Sequence, residues 1–211
     1  MDKQIKMPLS VYVLYHKDYI QGREAYTDMY HLLCRNPERP LTDGIDIPVF
    51  LRTGGGGQKI SKIELGQSSK NAIFLLVDEL MYCCSDWKAY IESLLTFVDS
   101  DTKIYPISLF KYAYDINANL QKKQFIALKS YSIKDNWGEF QTRVFDALLR
   151  FITGKEAEKL KLFISHSKKE IDKLGEAKAK ELRDFIRTDT KLDSFFDAND
   201  IVDGYDFEEQ I

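Results

Sequence analysis

Strand-like and helix-like stretches alternate along most of the chain. Short runs of β-branched, aromatic and aliphatic residues are typical of buried strands, and apolar residues recurring every three or four positions are typical of amphipathic helices. In the first part of the chain the predicted strands are 10–15, 45–51, 71–77 and 103–109, and the predicted helices are 20–34, 86–97 and 138–152. This order predicts an α/β fold, a parallel sheet with helices on both faces.

The strand ends indicate where chemistry is expected. Pro48 cannot donate a hydrogen bond to a neighbouring strand, so the second strand is predicted at the edge of the sheet, whereas the third reads as central. Parallel sheets of this kind bind ligands beyond the carboxyl ends of their strands. The loops to inspect therefore follow Tyr15, Leu51, Val77 and Leu109.

The pattern then begins again. A strand over 161–165, a helix over 176–187 and a strand over 192–197 follow a short charged connector. Gly154 is placed to end the preceding helix, which predicts one domain over 1–154 and a second over 155–211. Because two strands and one helix cannot cover both faces of a parallel sheet, we expect the second domain to be truncated.

Composition excludes several classes of protein. The 211 residues are 44% hydrophobic, which supports a packed core, and carry a net charge of −3. This balance argues against a nucleic-acid partner recognised through a broad basic surface. The longest apolar runs are far shorter than the ~20 residues of a membrane span, and residues 1–6 lack the apolar stretch of a secretion signal. No membrane association is therefore expected.

The three cysteines do not form a disulfide framework. Cys83 and Cys84 are adjacent, and we expect both to be small buried side chains rather than a strained disulfide. The chain has no Cys-x-x-Cys or His-x-x-x-His spacing, so no metal site is predicted. The sparse cysteines indicate a reducing, cytoplasmic location.

Several motifs of the second part follow one another in a recognisable order: Leu162-Phe163-Ile164-Ser165-His166-Ser167, a helix near 179–186, and Phe195-Phe196-Asp197-Ala198-Asn199-Asp200-Ile201-x-x-Gly204. Together they resemble the opening half of a bacterial TIR (Toll/interleukin-1 receptor) domain. The match covers about 160–211, and the family's acidic loop after its second strand would be 197–206.

The first part is similar to a more divergent TIR domain over about 8–153. Residues 11–16 would be its first strand and turn, and 50–54 its second strand and loop. Tyr82-x-x-Ser85-x-Trp87 follows the third strand as the family's Tyr-x-x-Ser-x-Trp segment does. The resemblance implies a flavodoxin-like, TIR-like sheet.

The resemblance also implies cleavage of NAD by a single glutamate. In catalytic members this Glu lies four residues after the Trp, where this chain has Ile91, with Glu92 one residue further on. One residue is about 100° of helical rotation. Either a local irregularity turns Glu92 into the site, or the first part is inactive and Glu92 is an exposed helix residue.

The chemistry needs few groups. Breaking the nicotinamide–ribose bond passes through an oxocarbenium-like sugar, which one carboxylate can stabilise. Nicotinamide leaves without protonation, so no metal and no resident cofactor are implied, and NAD is the substrate. Glu92 is the catalytic candidate.

Further candidates for holding a nucleotide lie at predicted strand ends. His16 and Lys17 follow the first strand, and Arg52 and Gly54 lie beside a run of glycines that would hold a pyrophosphate through backbone N–H groups. The alternative for His16 and Lys17 is the ordinary polarity of a loop, and the alternative for Arg52 and the glycine run is a mobile surface loop. The glycine run matches neither Gly-x-x-x-x-Gly-Lys-[Ser/Thr] nor Gly-x-Gly-x-x-Gly.

The remaining candidates follow the resemblance. Ser85 and Trp87 belong to the matching segment, where Trp87 would stack on a base; the alternative is a core aromatic. Ser165 and His166 occupy the turn where the second module would contact a nucleotide. A Ser-His-Asp hydrolase is the weaker interpretation because no Gly-x-Ser-x-Gly is present. The segment that would carry the second module's Glu lies beyond Ile211.

Two functions follow. The first is a bacterial TIR-domain protein that cleaves NAD, as a hydrolase or cyclase, or the regulatory part of such a protein, in antiphage defence or signal transduction. The alternative is a non-catalytic module that assembles with other TIR domains or senses a nucleotide. The position of the Glu92 carboxylate relative to the loops after the first two strands distinguishes them.

Overall fold

The computed structural model describes residues 6–39, 44–154, 161–164, 174–189 and 193–196. The chain divides into two compact units, an N-terminal unit over 1–143 and a C-terminal unit over 144–211, and the division falls inside one helix. The assignment of domains to 1–154 and 155–211 stays a prediction. No helix in the described part of the chain is long and apolar enough to cross a membrane.

The N-terminal unit contains a five-stranded parallel sheet in the order β2-β1-β3-β4-β5. Its strands are β1 (Met7–His16), β2 (Val49–Gly54), β3 (Ser68–Val77), β4 (Thr102–Ser108) and β5 (Ile126–Ala127). Its helices are α1 (Ile20–Leu33), α2 (Glu79–Cys83), α3 (Ser85–Leu95) and the shared α4 (Trp137–Thr153). The predicted α/β fold, with the strand order of flavodoxin-like sheets, is confirmed.

Helices cover both faces of this sheet. Side chains alternate between the faces along each strand. On one face the Tyr15 ring lies against Gly22 of α1, so closely that a Cβ at position 22 would be 2.5 Å from the ring. On the other face Tyr12 and Leu14 belong to a core cluster with Trp87 of α3. The two helices are therefore on opposite sides of β1, as predicted.

The connection from β2 to β3 crosses β1 without a helix. Residues 55–67 run beside α3 and contribute Ile60 and Ile63 to its core cluster. Most parallel crossovers contain a helix, whose backbone satisfies its own hydrogen bonds. Here side chains of neighbouring elements perform that role: Tyr12 Oη donates to the carbonyl oxygen of Glu64 at 2.7 Å, and Arg52 Nε donates to that of Lys62 at 2.7 Å.

The sequence-based element bounds are corrected in places. The second strand begins at Val49, so Pro48 precedes it, and β2 is an edge strand as expected. The two-residue β5 and the five-residue α2 were not predicted, because such short elements carry too little periodicity. The central position of β3 is confirmed.

The expectation of buried Cys83 and Cys84 is wrong. Cys83 is exposed at the end of the short helix α2, and Cys84 is half-buried between α2 and α3. All three cysteines are free, so no vicinal disulfide is present.

The C-terminal unit contains two parallel strands, β6 (Lys161–Ile164) and β7 (Asp193–Phe196), and the helix α5 (Leu174–Asp189) between them in sequence. The predicted strand–helix–strand order is confirmed. Gly154 has φ +69°, the left-handed conformation that ends α4, as expected. On α5, Ala179 and Ile186 are buried, whereas Leu182 and Phe185 are exposed.

Candidate functional site

The carboxyl ends of β1, β2 and β3 meet at one edge of the sheet. β1 pairs with β2 on one side and with β3 on the other, so their connections diverge at this edge. Crevices at such a divergence are the usual ligand sites of open α/β sheets. His16 pairs in register with Gly54, and the Lys17 backbone N–H donates to the Gly54 carbonyl oxygen at 3.1 Å. Three of the predicted site residues are thus adjacent.

The glycine run forms a tight turn at this edge. The backbone N–H of Gly55 donates to Gln58 O at 2.8 Å, and that of Gln58 donates to Gly55 O at 3.2 Å. A Cβ at position 55 would lie 2.8 Å from Trp87 Nε1 and 2.9 Å from His16 Cδ2. Gly55 therefore lets the backbone pass between these two rings, which no larger residue would permit.

Trp87 contacts the turn from the buried core. Its indole is fully buried, and Nε1 donates to the Gly54 carbonyl oxygen at 3.1 Å. Its ring lies edge-on to Tyr90 with centroids 5.6 Å apart. In this arrangement the indole is a core ring, because both of its faces are covered by protein.

A buried carboxylate lies close to His16. Asp78 directly follows β3, is 4% exposed, and accepts the backbone N–H groups of Leu80 and Met81 at 3.2 and 3.0 Å as the N-cap of α2. Burial raises its pKa, opposed by these hydrogen bonds and by the charge of His16. His16 is 6% exposed as the last residue of β1 rather than the first of a loop.

Tyr19 lies near Asp78 at the same edge. Burial raises its pKa, and the nearby Asp78 carboxylate raises it further, since a second negative charge would be unfavourable there. His16 Nδ1 accepts the Asp18 backbone N–H at 3.3 Å, so in the neutral form of the ring the proton lies on Nε2. The edge thus holds a histidine, an aspartate and a tyrosine.

The positive charge at this edge comes from Lys17. Its side chain is exposed and lies along the turn. Lys17 Nζ is 3.9 Å from the position that a Cβ at Gly56 would occupy. On the other side of the turn, Asp86 Oδ2 accepts the Gly57 backbone N–H at 3.4 Å. An anionic group placed over Gly56 would therefore lie near the Lys17 ammonium group, with no glycine side chain between it and the backbone.

Arg52 lies inside β2 and points at the helix-free crossover. Its guanidinium lies 5.3 Å from the ring centroid of Tyr12 and 5.7 Å from that of Phe50. Nε donates to Lys62 O and Nη1 to Leu51 O at 2.7 and 2.8 Å. The Arg52 guanidinium therefore binds backbone carbonyl groups and lies beside two rings, away from the glycine turn.

Glu92 lies on the flank of α3 that faces away from the glycine turn. The helix is a regular α-helix from Ser85 to Leu95, so no irregularity rotates Glu92; Ile91 is fully buried and Glu92 is exposed. The carboxylate accepts a hydrogen bond from Asn117 Nδ2 at 2.5 Å, in the segment that follows β4. It is thus separated from the loops after β1 and β2.

One further predicted residue, Ser85, begins α3 beside Asp86, and the others lie outside the described residues. Ser85 is exposed at the first position of α3. Ser165 and His166, and the acidic loop 197–206, lie outside the described residues. Within the described ranges no cluster of three His, Cys, Asp or Glu side chains is arranged to hold a metal ion.

Asp78 and Tyr19 were missed by the sequence reasoning. The signal for Asp78 was present, because it is the first residue after the third predicted strand and the loop there was marked as a place for chemistry. Tyr19 carried no signal, since only the turn 17–19 brings it back to the edge of β3.

Comparisons with known proteins identify no relative: no family model matches the chain, and neither do curated proteins or solved structures. The TIR resemblance stays a prediction.

Proposed function

We propose that the N-terminal unit is a TIR-like module that binds NAD or a related nucleotide at the carboxyl edge of its sheet without cleaving it. The observation that carries the proposal is the position of Glu92. Its carboxylate is bonded to Asn117 on one flank of α3, whereas the glycine turn, His16 and Lys17 lie together elsewhere.

The edge supports binding of an anionic ligand. Lys17 supplies a positive charge, and the glycine turn lets a phosphate approach the backbone closely. Asp78 and His16 are buried at the ends of β3 and β1, and Asp78 caps α2. The bound nucleotide would then regulate another part of the protein. This is the proposed regulatory role in a defence or signalling pathway.

Calorimetric titration of NAD into the 211-residue chain tests the binding. We expect Lys17→Glu to weaken NAD binding by about 5- to 20-fold, since a like charge then faces the phosphates. Lys6→Glu is the matched control, because it makes the same charge change at the amino end of β1, the opposite edge of the sheet. Equal affinities for wild type and Lys17→Glu, or no binding at millimolar NAD, would refute the proposal.

A further inference from the structure

A groove of about 860 Å³ runs between α3 and the helix-free crossover. The two segments run side by side in the same direction: Gly57 bonds to Asp86 at one end, and Tyr90 Oη donates to Ser61 O at 2.9 Å midway. α3 has 11 residues, so the groove is about 16 Å long. Its volume lies in the range typical of small-molecule sites, roughly 300–1,000 Å³.

The groove exists because the crossover lacks a helix. A helix at this position would fill the space beside α3, whereas the extended chain leaves it open. The wall is held in place by the hydrogen bonds from Tyr12, Arg52 and Tyr90 to crossover carbonyl groups. Burial raises the pKa of Tyr90 to about 12, so its hydroxyl stays protonated and remains a donor. The groove is therefore preformed.

Its two ends differ in character. The end farthest from the glycine turn is apolar and partly open, with Leu65 39% and Phe97 53% exposed and Ile73 and Leu94 buried beneath them. Apolar side chains around a concave surface are typical of the lining of small-molecule sites.

The other part carries positive charge. Lys59 and Lys62 are exposed on the crossover wall, and among the described residues neither has a carboxylate within ion-pair distance. The lining contains these two lysines and one acidic side chain, Asp86, so its net charge is positive. Asp86 also accepts the Gly57 N–H. A long apolar floor with a cationic rim complements a molecule with an extended apolar chain and one anionic head.

We propose that this groove binds a medium-chain fatty carboxylate or a similar amphipathic anion, with the chain along α3 toward Phe97 and the head near Lys59 and Lys62. The groove meets the carboxyl edge of the sheet at Gly57, Gln58 and Asp86, extends away from it along α3, and does not depend on nucleotide binding there. It assigns a second ligand to the N-terminal unit, of a different chemical class.

The groove is tested with decanoate, titrated calorimetrically below its micellar concentration into the 211-residue chain. Ser93→Trp fills the groove from α3, and we expect at least about tenfold weaker binding. Lys88→Trp is the matched control, because it adds the same ring on the opposite flank of α3. Absence of decanoate binding to the wild type, or equal weakening by both variants, would overturn the proposal.

The charged rim is tested separately with the double variant Lys59→Glu, Lys62→Glu. We expect decanoate to bind about 3- to 10-fold more weakly and the neutral decanol to bind as in the wild type. A fold defect would weaken both ligands equally, so the comparison isolates the charge. Unchanged decanoate affinity in the double variant would contradict the assignment of the head group.

Discussion

Gly55 lies between the rings of His16 and Trp87. Its backbone has φ +95° and passes between His16 and Trp87 with no room for a Cβ. Both properties require glycine, and they fix the distance between the end of β1 and the start of α3. The positions of His16 and Trp87 therefore depend on a residue that has no side chain.

We expect Gly55→Ala to lower the free energy of unfolding by about 2–4 kcal/mol, from backbone strain plus the contact with the two rings. Gly57→Ala is the matched control: its φ is +83°, but a Cβ there meets nothing within 4 Å, so only the strain of about 1 kcal/mol is expected. Urea unfolding measures both. Equal losses for the two variants would show that the contact with the rings is unimportant.

Asp78 predicts a pH dependence of stability. Burial holds its pKa above 3.8 in the folded protein, so the folded state binds that proton more tightly than the unfolded chain. The contribution of Asp78 to stability is thus greatest at low pH and falls as the pH rises from about 3.8 through the raised pKa.

Asp78→Asn keeps an N-cap acceptor and removes this titration. We expect the variant to gain stability relative to the wild type between about pH 3.5 and about pH 7, because only the wild type then buries a charge. Urea unfolding at both values gives the difference. A relative stability that stays constant or falls with rising pH would contradict the account of Asp78.

At the scale of elements, the crossover 55–67 is held by side chains instead of by its own helix. Tyr12, Arg52 and Tyr90 come from three different elements and each donates to a crossover carbonyl group. This arrangement explains why Arg52 lies within β2 facing the crossover. It also means that the groove beside α3 depends on these few bonds.

We expect Arg52→Ala to destabilise the crossover by about 1–3 kcal/mol, since the Lys62 carbonyl loses a charge-assisted bond and two rings lose their cation. Hydrogen exchange should accelerate in residues 58–66 and remain unchanged in α1. Arg23→Ala, an exposed arginine of α1, is the control. Uniform acceleration over the whole unit would show that Arg52 supports global rather than local stability.

The sequence predicted the elements with clear periodicity and not the contacts between them. Nearly continuous apolar runs located β1, β3 and β4 within a few residues, because strands buried on both faces contain few polar residues. The two-residue β5 and the five-residue α2 are too short to show a period. The support of the helix-free crossover was not predictable, since nothing in its sequence reveals which side chains bond to it.

The candidate site was predictable to the extent that it depends on strand ends. His16, Lys17 and Gly54 were chosen because they follow strands, and parallel pairing places them together. Glu92 could not be placed from sequence, since a shift of one residue on a helix changes its direction by about 100°. In the regular α3 Ile91 is buried and Glu92 is exposed, and the catalytic role of Glu92 stays a prediction.

At the scale of the whole molecule, the compact units divide at Arg143 while the sequence places the domain boundary at Gly154. α4 spans the interval. A chain ending at 143 would keep seven residues of that 17-residue helix and lose its buried Val144, Leu148 and Phe151.

We expect residues 1–154 to unfold cooperatively on heating and residues 1–143 to lack a cooperative transition. Each buried apolar side chain contributes roughly 1.5–3 kcal/mol, and domains are stable by only about 5–15 kcal/mol. Circular dichroism of both fragments measures this. Identical melting of the two fragments would place the boundary at 143.

We propose that the N-terminal unit binds NAD and leaves it intact. Proton NMR of NAD mixed with the 211-residue chain tests both parts at once, because binding broadens the nucleotide signals and cleavage releases free nicotinamide. We predict broadening without nicotinamide release, unchanged in Glu92→Gln. Release of nicotinamide that Glu92→Gln abolishes would contradict the account and identify Glu92 as catalytic.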